Sequence, residues 1–341
     1  MQKRILLLIM ILYTATRPAA QTLGGNAVFN FLTQPNTAQL SALGGVNISS
    51  MGNDVGMAFH NPALLRPKMH RQVNTSFNSF VAGIRHYSAT GAYWLDRPGL
   101  NVGLGVQYLN YGSLVQTDAS GNILGNIRPN DYMVQLMASR QYMERFRIGV
   151  STKLIRSEYG AYRSTGIAAD IGLTYTDTAA LFQAAVVVKN MGVQLRAYEP
   201  GKQKEELPFD VQAGISKKLA NAPVQFSLTA HHLHRLNIQY NDTAFNAAEG
   251  DLRSNGLQKI FSHLVLSSQI DLSEFVELNL GYNFLSRQDL NVFGATGGLN
   301  GFTCGVGILL RKLHIRYATG FYQQHMFHQF SLNFNFSGTP L

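Results

Sequence analysis

The chain has 341 residues, of which 14% are charged, and its 28 Lys and Arg against 19 Asp and Glu give a formal charge of +9. Soluble domains carry about 25% charged residues, and the basic residues here are scattered rather than clustered, so no nucleic-acid partner is expected. The single cysteine, Cys304, excludes an intramolecular disulfide, and no cysteine follows the leader to take a lipid anchor.

Residues 1–20 read as a signal peptide. Lys3 and Arg4 are the positive start, Ile5 to Tyr13 the apolar stretch, and Ala19-Ala20 the small residues before a cleavage at Gln21. Pro18 departs from the usual A-x-A pattern. Loss of Lys3, Arg4 and Arg17 with the leader lowers the formal charge from +9 to +6. The apolar stretch is too short to span a bilayer as a helix, which takes about 20 residues, and no later apolar run reaches about 18.

Residues 21–68 do not read as strand. Thr37–Leu43 predicts a short helix, with Asn36 or Thr37 as its N-cap and Gly44-Gly45 as its stop. Asp54 lies in the connection Asn47–Phe59. The Asn61-Pro62 step forces an extended or turn conformation at 61, and the Asn61 amide can satisfy backbone groups buried inside a lumen. A short non-strand piece ahead of a long all-β chain suggests a plug within a barrel.

From about residue 70 alternation at period two dominates, and 69–341 reads as an antiparallel membrane barrel. Leu100, Val102, Leu104, Val106 and Tyr108 share one face, with Asn101, Gly103, Gly105 and Gln107 on the other. Counting such segments gives about fourteen, near 70–80, 82–95, 99–110, 131–141, 145–157, 165–176, 180–190, 208–219, 222–237, 258–271, 274–287, 298–312, 313–323 and 325–337. Most are 9–13 residues long, where a tilted membrane-spanning strand needs about 9–11. Their polar faces are rich in Gly, Ser, Thr, Asn and Gln. Aromatics near the segment ends fit interfacial girdles, for example Tyr93 and Trp94, Tyr108 and Tyr111, and Phe334 and Phe336.

Three longer connections stand out: Gly112–Pro129 with the turn Asp118-Ala-Ser-Gly121, the charged Val193–Pro208, and the polar Asn241–Gly256. They are where partners would bind, or they are simply solvated loops.

The sharpest side-chain cluster is His231, His232 and His234. If a strand runs through them, His232 and His234 share a face. They read either as a polar lumen row or as two ligands of a metal. His60, beside the Asn-Pro turn, reads as a hydrogen-bonding plug residue, and Cys304 as a lipid-facing or buried thiol. Asp170 and Asp210 read as lumen polar groups. No G-x-S-x-G, H-E-x-x-H, P-loop or C-x-x-C pattern occurs, so no catalytic, cofactor or metal residue is assigned and an enzyme is not expected.

A plug carrying Asn61-Pro62-Ala63 ahead of fourteen antiparallel strands resembles the FadL-type outer-membrane proteins. Phe31-Leu32, Pro35, Ala42-Leu43-Gly44-Gly45, Asp54 and Asn61-Pro-Ala-Leu-Leu65 together resemble the PorQ and PorV family, the FadL-like barrels of the type IX secretion system. Thr229-Ala-His-His-Leu-His-Arg235, Leu280-Gly-Tyr-Asn283 and the chain length resemble its PorQ branch. At Thr37-Ala38-Gln39 the family more often has Ser-Ala-Arg, which implies that a hatch salt bridge made by that arginine is missing here. The resemblance implies a non-enzymatic outer-membrane anchor in a cell-surface attachment complex, holding a PorZ-like surface protein beside a PorU-like sortase and a PorV-like barrel. That complex joins secreted cargo to anionic lipopolysaccharide. The alternative is a FadL-like transporter of hydrophobic small molecules, whose glycine-rich strands would kink to open a lateral gate.

Overall fold

Fourteen strands close into one antiparallel barrel, and the alternation of their sequences sorts apolar residues outward and polar residues inward. The computed structural model describes residues 27–236, 238, 256–290, 298–322 and 325–336. The expected leader and nearly all of the connection Asn241–Gly256 lie outside the described residues.

The wall consists of β1 (Gln72–Ser79), β2 (Arg85–Leu95), β3 (Leu100–Asn110), β6 (Asn130–Gln141), β7 (Phe146–Tyr159), β8 (Tyr162–Asp177), β9 (Phe182–Arg196), β10 (Asp210–Lys218), β11 (Val224–Ala230), β12 (Leu264–Asp271), β13 (Val276–Asn283), β14 (Phe302–Leu309), β15 (Leu313–Tyr322) and β16 (His325–Asn335). Each pairs with its neighbour in the chain, and β1 closes the barrel on β16 from Gln72↔Asn335 to Ser79↔His328. Closure removes the unpaired strand edges that a bilayer could not satisfy. Between β3 and β6 the hairpin β4 (Leu114–Thr117) and β5 (Ile123–Ile127) stands apart as its own two-stranded sheet.

Leu104, Val106, Leu136, Val150, Leu154, Ile171, Val186, Ile215, Leu266 and Phe330 are exposed on the outer face. In water such a band would be untenable; in lipid it is the outward half of a membrane barrel. Tyr87, Tyr108 and Tyr132 stack side by side across β2, β3 and β6, with ring centroids 6.0 and 4.8 Å apart, as one arc of an interfacial girdle. Cys304 lies exposed on the same outer face. Among the described residues no helix is long and apolar enough to cross a membrane.

The connections are strongly asymmetric. On one rim they are 96–99, 142–145, 178–181, 219–223, 272–275 and 310–312, none longer than five residues. The opposite rim carries 111–129, 197–209, 231–263 and 284–301. Short turns face the periplasm and long loops the exterior in outer-membrane barrels, which orients this one.

Four strands are clearly shorter than the alternation predicts, and the expected strand over 298–312 forms only over Phe302–Leu309. The expected strand over 222–237 stops at Ala230, because His232 takes a left-handed φ of 55° and leaves the ladder. The expected strand over 258–271 begins only at Leu264, after a helix Gly256–Ser262. The expected strand over 274–287 ends at Asn283, whose side chain accepts a hydrogen bond from the Ser286 amide and starts the helix Phe284–Asp289. The two helices meet through Phe261 and Phe284, with ring centroids 5.3 Å apart.

The lumen holds residues 27–71. This segment makes short turns over Asn30–Thr33, Val55–Phe59, Pro62–Leu64 and Pro67–Met69, and a helix over Ala38–Ala42. Thr37 occupies the helix N-cap position, but its hydroxyl reaches Ser331 on β16 at 3.4 Å instead of capping the helix. Gly44 and Gly45 follow the helix end with φ of 88° and 81°, the left-handed exit that glycine makes easy. The segment starts at the exterior rim, where the Val28 amide donates to the Glu206 carbonyl at 2.9 Å, and ends at the periplasmic start of β1. Its side chains supply most of the buried apolar core: Phe31, Leu32, Leu40, Leu43, Ile48, Val55, Phe59, Leu64 and Leu65 are all at most 3% exposed.

Candidate functional site

The plug meets the wall through two kinds of contact, close backbone approach at wall glycines and buried polar pairing. At Gly172 of β8 a Cβ would stand 2.1 Å from the Asn61 Oδ1, and at Gly281 of β13 it would stand 2.1 Å from the Gly44 amide nitrogen. Only glycine lets the plug come so near, through the Asn61 side chain at Gly172 and through the Gly44 backbone at Gly281. The motif pieces Ala42-Leu43-Gly44-Gly45 and Asn61-Pro62-Ala63 therefore sit on opposite seats of the wall. The Asn61 Oδ1 accepts from the Ala63 amide at 3.0 Å, and its Nδ2 donates to the Ile48 carbonyl at 2.8 Å. One side chain thus closes the Asn-Pro turn and ties two passes of the plug together.

Asp54 is the plug's charged contact. Its Oδ1 accepts from the Gly56 amide at 2.7 Å and from Asn74 of β1 at 3.1 Å. Its Oδ2 pairs with Arg316 of β15 at 2.6 Å, and the same guanidinium reaches Glu277 of β13 at 2.5 Å. All three side chains are at most 6% exposed. Gln39, on the plug helix, donates to Gln269 of β12 at 3.3 Å. The plug-to-wall ion pair thus has its cation on the wall, at Arg316.

Further toward the exterior, Lys189 Nζ lies 2.7 Å from His60 Nδ1 of the plug. Lys153 pairs with Asp170 at 2.7 Å and donates to Asn190 at 2.8 Å. Asn190 has a left-handed φ of 55° and sits where the β8–β9 register shifts; its amide donates to Asp170 at 2.8 Å. Arg316, Glu277, Lys153 and Lys189 carry no local signature in the sequence. Only the closed barrel brings them to the plug.

The histidine cluster lies beyond the end of β11, at the exterior rim, rather than on a strand. His231 Nδ1 and His232 Nδ1 are 2.5 Å apart, the His232 amide donates to Asp210 at 2.6 Å, and His234 Nδ1 stands 4.0 Å from the same carboxylate. A fourth histidine, His263, lies 2.8 Å through Nδ1 from the His231 carbonyl. Burial lowers His231 to about 3, so it is neutral near pH 7, and burial also pulls His232 and His234 below the usual imidazole range. Among the described residues no three His, Cys, Asp or Glu side chains converge so as to hold a metal ion.

Tyr111, expected in the outer girdle, instead turns into the exterior mouth. There its hydroxyl donates to Asp131 at 2.6 Å. Tyr159 and Tyr198 join it, and together with the start of the plug they line a cavity of about 510 Å³.

No family model matches the chain, and no curated protein matches it in sequence. Solved structures share its fold. The toluene transporter TbuX of Ralstonia pickettii superposes with a TM-score of 0.52 at 10% identity, over 90% of this chain and 98% of that one. A FadL homologue of Pseudomonas aeruginosa gives 0.53 at 9% identity, over 88% and 98%. The chain is a fourteen-strand outer-membrane β-barrel of FadL-like fold with an N-terminal segment preceding the barrel.

Proposed function

We propose that the barrel is a non-enzymatic anchor at the cell surface, the PorQ-like member of a type IX secretion attachment complex. Its exterior loops would hold a PorZ-like surface protein, which works with a PorU-like sortase and a PorV-like barrel to join cargo to lipopolysaccharide. The observation that carries this reading is the plug. Residues 27–71 run from rim to rim, seated on wall glycines and pinned by a buried ion pair. A lumen occupied in this way leaves the long exterior connections, with the separate hairpin β4–β5, as the working surface. Affinity purification of the intact protein in mild detergent tests it. A large surface protein should co-purify, and its loss on deleting residues 114–127 would locate the contact. Recovery of no partner, with normal surface attachment of cargo in a deletion strain, overturns the reading.

A second reading is transport of hydrophobic small molecules. It is favoured by the fold shared with a protein described as a toluene transporter. It requires the plug to yield or a path to open beside it. Uptake of a radiolabelled monoaromatic hydrocarbon that falls in a deletion strain would support this reading against the anchor.

A further inference from the structure

The cavity at the exterior mouth has a chemistry that neither reading uses. Its floor is Asp131 at the start of β6, 1% exposed. The carboxylate accepts hydrogen bonds from Tyr111 at 2.6 Å, from Tyr159 at 3.2 Å and from Ser157. Among the described residues it has no Lys, Arg or His partner, so its donors are all neutral hydroxyls. A buried carboxylate without a cation is a costly arrangement.

Above it stand the rings. Tyr111 and Tyr159 lie 5.7 Å apart between centroids, and Tyr159 and Tyr198 lie 5.4 Å apart in an edge arrangement. Phe29 of the plug completes the wall and is held there in a left-handed conformation, φ 60°, that a phenylalanine rarely adopts. Glu205 lines the rim, and its backbone amide donates a hydrogen bond to Gln194 Oε1 at 2.8 Å. The depression is open to the exterior, and aromatic faces and carboxylates both attract positive charge. The volume of about 510 Å³ is that of a small-ligand site.

We propose that this cavity binds an organic cation, an alkylammonium or guanidinium group entering from outside the cell. The charge would settle toward Asp131, with the tyrosine faces around it and Glu205 at the entrance. Either a free amine or a basic side chain of a surface protein could supply the group, and the site stands whether the barrel anchors or transports.

Calorimetric titration of the full chain in nanodiscs at low salt tests the proposal. Benzylammonium and benzyltrimethylammonium serve as free cations, benzyl alcohol as the neutral match. The peptide acetyl-Gly-Lys-Gly-amide and its norleucine analogue represent a side chain. Saturable binding of the cations, at least tenfold tighter than the neutral match, is expected. Asp131→Asn should remove that preference while leaving the weak binding of benzyl alcohol unchanged. Should Asp131→Asn fail to fold, Tyr198→Leu and Glu205→Gln should each weaken the cations several-fold. Binding of the lysine peptide but not the free amines assigns the source to a protein side chain, and the reverse assigns it to a solute. No saturable binding of any cation, equal binding of the neutral match, or a folded variant set with unchanged affinity overturns the proposal.

Discussion

Arg316 of the wall holds Asp54 of the plug at 2.6 Å, and it does so while also engaging Glu277 at 2.5 Å. One cation thus serves two buried carboxylates on three separate elements. Removing the guanidinium leaves both acids buried without a counter-charge, a loss of about 3–5 kcal/mol for a broken buried pair. Arg316→Met should therefore lower the thermal transition in detergent markedly. The triple variant Asp54→Asn, Glu277→Gln, Arg316→Met should recover most of the loss. An unchanged transition in the single variant would show that the pair does not hold the plug.

The glycine seats predict a position-specific intolerance. Gly281→Ala places a Cβ against the Gly44 backbone, and overpacking of this kind costs about 1–3 kcal/mol or more. Gly298→Ala, where nothing lies within 4 Å, should be neutral. Limited trypsin cleavage after Lys68, which is exposed, is the readout. Faster cleavage in Gly281→Ala than in Gly298→Ala is expected, and equal rates would contradict the seat.

Acid should loosen the base of the 231–263 connection. His231 has its folded pKa lowered to about 3, below the usual 6.5, so between those values the opened state binds the extra proton. The stabilisation is full above pH 6.5 and declines as pH falls toward 3, by up to about tenfold in the opening equilibrium per pH unit for one proton. Hydrogen exchange of the Leu233 amide, which donates to the Val211 carbonyl at 3.0 Å, should accelerate between pH 6.5 and 4 beyond the intrinsic rate change. His231→Gln should flatten that dependence.

Cys304 offers a native label for the lipid face. It is the chain's one cysteine and projects outward from β14 near the exterior rim. In cells or liposomes it should react with a membrane-partitioning maleimide and resist a charged, water-confined thiosulfonate. Rapid reaction with the charged reagent would place this face in water.

Much of the wall was legible because the physics of a strand in lipid is local. Leu100 through Tyr108 alternates whatever its partners are, and β3 forms there. The limits of this logic appear at the exterior rim. Ala230, His232 and His234 continue the alternation past the point where His232 turns left-handed, and the packing of His232 and His234 against Asp210 is a tertiary outcome. The motif residues of the plug marked a junction, but its wall half was silent. Arg316 and Glu277 are 39 residues apart and look like ordinary polar positions until β13, β14 and β15 align. Tyr111 looked like one more girdle aromatic, and only its bond to Asp131 turned it inward.

The rim-to-rim course of residues 27–71 constrains how the molecule can be assembled. Helix Ala38–Ala42 packs against β13, β14, β15 and β16, the last strands to be made, while the seam between β1 and β16 completes the cylinder. Once that seam is zipped, a filled interior offers no room to feed a chain end through. The economical order is for the final strands to fold around the waiting N-terminal thread, which then acts as the mandrel on which the cylinder is wound. On this route, damage to the thread would surface first as stalled intermediates on the insertion machinery, before any leak through a finished barrel.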